Sequence, residues 1–94
     1  MAQQIYDLSC CYDSRASFYG KAKVVVKPNN ILGLISYNTE VAVFDQTKNE
    51  LLVKPTEFSV NGKYSATTTR HIREFAQQHG FGKLALVRVG TYHK

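Results

Sequence analysis

Three histidines, two adjacent cysteines and a run of hydroxyls ahead of two arginines are the residues of this 94-residue chain with the means to do chemistry. Cys10 and Cys11 are neighbours, so they cannot staple distant segments, and a ring between them would be strained; two reduced thiols are expected. A cysteine nucleophile needs a base within hydrogen-bond reach, and no spacing brings His71, His79 or His93 to Cys10 or Cys11. Zinc is no better served. The cysteine pair lacks the two-residue gap of a knuckle, and His71 and His79 sit about 80° apart around a helix. His79 reads as a half-buried histidine at a helix end, complementing the negative end of the dipole when charged. Gly80-Phe81-Gly82 follows the helix instead of opening it, so it is not a phosphate-cradling loop. The seven acids are scattered singly and read as surface charges. A non-enzymatic protein without metal or cofactor is expected.

Binding chemistry is better represented. Ser65, Thr67, Thr68, Thr69 and Arg70 gather hydroxyls, orphan amides and a cation at a helix start, which suits an anion. The alternative is that the hydroxyls only cap the helix and bond the preceding turn. Arg70, Arg73 and Gln77 form a row suited to phosphates or an acidic partner. Otherwise the row is a solvated face on which Arg70 and Glu74 pair for about 0.3 kcal/mol. Aromatic residues stand beside cations at Arg15, Phe18, Tyr19, Lys21 and Lys23, and again at Lys63 and Tyr64. Single-stranded nucleic acid is commonly held by rings beside cations, although rings in a small sheet protein also serve as core. The net charge of +5 and pI near 9.4 favour an acidic partner or solubility. The cations are spread from Arg15 to Lys94, so there is no dedicated basic tail.

The elements that must position these residues are legible in part. The pattern predicts a helix over about 67–79, with Ser65, Thr67 and Thr68 as candidate N-caps and Gly80 closing it ahead of Phe81. Its narrow apolar stripe is Thr68, Thr69, Ile72, Phe75, Ala76 and His79; Arg70, Arg73, Glu74 and Gln77 lie opposite. Strands are expected at 22–27 and 31–37, joined at Pro28-Asn29-Asn30, and at 41–45 and 50–54, joined through 46–49. Val41 and Val43 would share one face of the third strand, Ala42 and Phe44 the other. Pro55 ends the fourth strand. Asn61-Gly62 is a two-residue hairpin signal, and 83–89 reads as a last strand before a polar tail at 91–94. Residues 1–20 fit either an arm or an extra strand. The sum is a single α+β domain over 1–94: a hairpin-rich antiparallel sheet of about five strands with one helix across one face. No apolar run is long enough for a membrane helix and the opening lacks a signal-peptide pattern, so the cytoplasm is the expected compartment.

Three blocks carry a resemblance: 12–24 (YDSRASFYGKAKV), 36–42 (SYNTEVA) and 64–75 (YSATTTRHIREF). Together they resemble a family of short, uncharacterised proteins of bacteriophages and bacterial mobile elements, mostly from Gram-positive hosts. The likeness runs from about residue 12 to 81, with a longer stretch between Phe44 and Phe58. It assigns no residue a role. It implies a setting in the bacterial cytoplasm, where small phage proteins act by binding, as inhibitors of host defence including anti-CRISPR proteins or as accessories to DNA metabolism. The same blocks serve structure if Tyr37, Asn38 and Thr39 bond to the helix cap. The leading expectation is thus a binder of nucleic acid or of a host ribonucleoprotein or defence complex. The alternatives are an assembly protein forming a homodimer through sheet edges, and a binder of a small anionic nucleotide at the helix end.

Overall fold

Short β-branched and aliphatic runs, broken by asparagine-containing turns, build a meander. The computed structural model describes residues 4–8, 21–82, 84 and 86–94. The strands are β1 (Gln4–Asp7), β2 (Ala22–Lys27), β3 (Ile31–Ser36), β4 (Thr39–Asp45), β5 (Glu50–Val53) and β6 (Gly90–His93), and the helix α1 (Ala66–Gln78) lies between the last two. They form one antiparallel sheet in the order β1-β2-β3-β4-β5-β6. Asn29, Asn30 and Asn49 take φ of 64°, 62° and 54° in the turns. Asparagine tolerates this left-handed region better than most residues, which is why the turns fall where the sequence places them. Asn61 and Gly62 likewise turn with positive φ, but the hairpin is a single bridge between Val60 and Lys63.

The α+β class is as expected; the sheet has six strands because a segment near each end joins its edge. β1 pairs with β2, and β6 pairs with β5. Among the described residues of the expected strand at 83–89 none is in a strand; the last strand is Gly90–His93, mostly inside the segment 91–94 read as a polar tail. The cause lies in Tyr92. Opposite Leu51, it sends its hydroxyl back to accept the Arg88 N–H at 2.7 Å and to donate to the Arg88 carbonyl at 2.9 Å. That satisfies both backbone groups of Arg88 without a ladder, and Val87 enters the core from a loop.

One face of the sheet carries Val24, Leu34, Ala42 and Val53 in line, with Leu32, Phe44 and Leu51 beside them. Ile72, Phe75 and Ala76 of α1 complete this core. A β-bulge interrupts the alternation in β4. Leu34 pairs with Ala42 but Ile35 pairs with Glu40, leaving Val41 as the extra residue. Val41 therefore joins Ala42 and Phe44 in the core, and the expected sharing of a face with Val43 does not hold. The same step moves Glu40 to the far face. There it meets Lys27 at 2.5 Å and Lys54 at 2.8 Å, lying across Gly33, where an added Cβ would come within 2.6 Å of its carboxylate.

The helix begins and ends as its sequence indicates. Ser65 Oγ accepts the Thr68 N–H at 3.3 Å, and beyond the last turn Gly80 (φ 89°) lets the Phe81 N–H reach the Ala76 carbonyl at 3.0 Å. Its buried side is broader than a narrow stripe, because His71 and Glu74 are buried as well. Glu74 is thus not part of a solvated face; its carboxylate accepts from Gln78 Nε2 at 2.6 Å.

His79 is half-buried, as expected, with its ring 4.9 Å from those of Phe44 and Phe75. Burial, reinforced by the nearby Lys94 ammonium, holds its pKa below the ordinary 6.5, which disfavours the charged form that would complement the helix dipole. The unfolded chain then binds this proton more readily than the folded one. Stability is accordingly expected to be full above pH 6.5 and to fall as the pH drops below it, and His79→Gln should flatten that part of a thermal-melting profile. Burial pushes the Glu40 carboxyl up, but hydrogen bonds and charge from Lys27 and Lys54 outweigh it and hold the pKa below 4.5. Its contribution to stability is lost only at still lower pH, so the two groups separate in one titration.

A polar-floored cleft at the helix N-terminus

The N-terminus of α1, the β3–β4 turn and the loop after β5 meet at one end of the sheet. Between them lies a cleft of about 360 Å³, lined by Ser36, Tyr37, Asn38, Thr39, Val41, Phe58, Tyr64, Ser65 and Thr68. None of these nine residues carries a charge. Tyr37 takes φ of 58° in the two-residue turn. That conformation is costly for a bulky residue, of the order of 1 kcal/mol or more. It is held by a 2.7 Å bond from the Tyr37 N–H to the Lys21 carbonyl, and the ring leans on that of His71 with centroids 6.0 Å apart.

Beneath the cleft is a buried polar chain. Ser36 Oγ lies 2.7 Å from His71 Nδ1 and 3.1 Å from Thr68 Oγ1, and all three residues are buried. Each hydroxyl has a single proton, so a Ser36 that donates to Nδ1 receives its second bond from Thr68. This ties the end of β3 to the first two turns of α1. The two sequence blocks do lock the same corner of the fold, through hydrogen bonds of Ser36 and the contact of the Tyr37 ring with His71.

The other wall is equally fixed. The Tyr64 hydroxyl donates to the Lys54 carbonyl and lies 3.0 Å from Thr56 Oγ1. Thr56 Oγ1 accepts the Phe58 N–H at 3.2 Å, while Ser59 Oγ donates to the Thr56 carbonyl at 2.8 Å. This knot holds Phe58 with its ring outward, 58% exposed, across from a Tyr37 that is 50% exposed.

The predicted site residues divide. Ser65 caps the helix, Thr68 bonds to Ser36, and Thr69 Oγ1 donates to the Tyr64 carbonyl at 3.4 Å, so these hydroxyls are engaged within the fold; Thr67 is half-buried. Lys63 is exposed beside Tyr64, and Lys21 is exposed beside the Tyr37 turn. Arg70 is half-buried in the helix. Arg73 donates from Nε to the Leu84 carbonyl at 3.0 Å, and Gln77 is half-buried, so the row 70–73–77 is partly structural. Lys23 pairs with Asp7 and Ile35, on the sheet face away from α1. Arg15, Phe18, Tyr19, Cys10 and Cys11 lie outside the described residues. Sequence reasoning missed Ser36, His71 and Phe58; the joint placement of the SYNT and YSATT blocks was the signal that pointed to this corner.

Among the described residues no group of three or more His, Cys, Asp and Glu side chains could hold a metal ion, and no helix is long and apolar enough to cross a membrane. No curated protein and no solved structure matches the chain. Residues 6–88, a span containing every residue that lines the cleft, match the model described as a family of unknown function (DUF8033), and the chain belongs to that family.

Proposed function

We propose that this protein works without catalysis by binding nucleic acid, with the cleft and its basic rim as the contact surface. One observation carries the reading: two exposed aromatic rings line an uncharged cleft in a chain of net charge +5, with exposed Lys63 next in sequence to the lining Tyr64 and exposed Lys21 bonded through its carbonyl to Tyr37. Exposed rings beside cations are the recurring equipment for holding an unpaired strand. The resemblance of the three sequence blocks to phage proteins supports a setting in which such binding interferes with a host nucleic-acid complex, an anti-CRISPR role included.

The test is a mobility shift with DNA and RNA at two salt concentrations. Binding should weaken with salt, with a log–log slope of about −0.7 to −0.9 per phosphate neutralised. Lys21→Glu/Lys63→Glu/Arg70→Glu should weaken it by about tenfold or more and flatten the slope by about 0.7 for each phosphate no longer neutralised. Arg73 is left unchanged, because its bond to Leu84 makes a fold defect hard to separate from a binding defect. No shift at low salt with either polymer overturns the reading.

A second reading rests on β1. All four of its residues are exposed, with Ile5 56% and Tyr6 45% accessible at an edge of the sheet. Such an edge can add a strand from a second copy. Light scattering that gives a monomer mass over a wide concentration range would sink it.

A further inference from the structure

We infer that the cleft takes one unstacked nucleobase, so that the protein selects single strands over duplexes. The inference rests on the nucleic-acid reading above and specifies what enters the site.

The chemistry of the lining separates what goes in from what stays at the rim. Asn38 and Thr39 offer neutral polar groups at the turn, above a floor whose Ser36, Ser65 and Thr68 hydroxyls bond within the fold, and no charged side chain lines the cleft. A phosphate placed inside would meet no lysine or arginine side chain. A base edge, which carries donors and acceptors without net charge, is matched. The cations lie outside the lining: Lys21 is exposed and its carbonyl holds the Tyr37 turn, and Lys63 is exposed next in sequence to Tyr64. The walls are the Tyr37 and Phe58 rings, both largely exposed. The backbone of each is held by its own bonds, one in a tight turn and one in the Thr56–Ser59 knot, so the segments that carry the rings need little ordering on binding. The floor is fixed too, because Ser36 and Thr68 are held through His71.

Size agrees. At about 360 Å³ the cleft is near the small end of ligand pockets, which run from about 300 to 1,000 Å³. That is room enough for one base. In a duplex the bases are stacked inward and must be extruded to enter such a site. A single strand offers them without that cost.

The experiment measures anisotropy with three labelled polymers of equal length: a single strand, its duplex, and an abasic strand that keeps the phosphates and lacks the bases. The single strand is expected to bind about tenfold more tightly than the abasic one. Phe58→Ala should erase that margin while leaving abasic binding unchanged. Tyr37→Asn, chosen because asparagine tolerates the left-handed turn, should do the same, with an unchanged melting temperature confirming the fold. Equal binding of all three polymers, insensitive to both substitutions, would overturn the base site and leave electrostatic nucleic-acid binding standing. Binding to none of them would overturn both readings together.

Discussion

His71→Ala is expected to lower the unfolding free energy by about 3 kcal/mol, measured by urea denaturation at neutral pH. His71 is fully buried and its Nδ1 is the 2.7 Å partner of Ser36 Oγ. Removing it leaves a buried hydroxyl short of a partner, which costs about 1–3 kcal/mol. The vacated ring volume adds a cavity term, as other large-to-small core changes do. The loss is large against the 5–15 kcal/mol or so that stabilises a typical domain. Ser36→Ala removes the other end of the same bond and should cost about 1–3 kcal/mol. His71→Ala/Ser36→Ala should then cost less than the two single changes added together, since they share one interaction. Strict additivity would mean that the hydroxyl–imidazole contact contributes nothing to stability.

Two phenylalanines offer the second test, because the fold treats them oppositely. Phe75 has no exposed surface and meets the His79 ring edge-on at 4.9 Å and 69°. Phe75→Ala should cost about 3–5 kcal/mol. In a domain of this size each kcal/mol lowers the melting temperature by about 4–8 °C, so the fall should exceed about 12 °C. Phe58 is 58% exposed. Its replacement by alanine should change stability by no more than about 0.5 kcal/mol, so any effect on binding is an effect on the ring. Differential scanning calorimetry on the two variants decides the matter. A Phe58→Ala protein that melts far below the parent would mean that this ring packs as core and is not a wall open to ligand.

The sequence by itself determined the parts whose causes are local. Ser65 and Gly80 bound the helix because a capping hydroxyl and a left-handed glycine act within a few residues of the chain. Asn29-Asn30 and Asn61-Gly62 turn it for the same reason, and the β-branched and aliphatic runs at 22–27 and 31–37 between turn signals read as strands. The tertiary structure decided what depends on register and on which surfaces meet. One unpaired residue, Val41, shifts the pairing of β4 and sends Glu40 to the far face, where alternation alone would have put it in the core. The strand at Gly90–His93 forms on the edge of β5, with the Tyr92 hydroxyl reaching back to the Arg88 backbone. His71 and Glu74 are both buried, His71 against Ser36 of β3, so the covered arc of α1 is wider than its apolar residues mark. The cleft is the extreme case. Ser36 and His71 are 35 residues apart, and Tyr37 and Phe58 belong to different loops. No pattern read along the chain brings such residues together, because their proximity is a property of how the helix lies on the finished sheet.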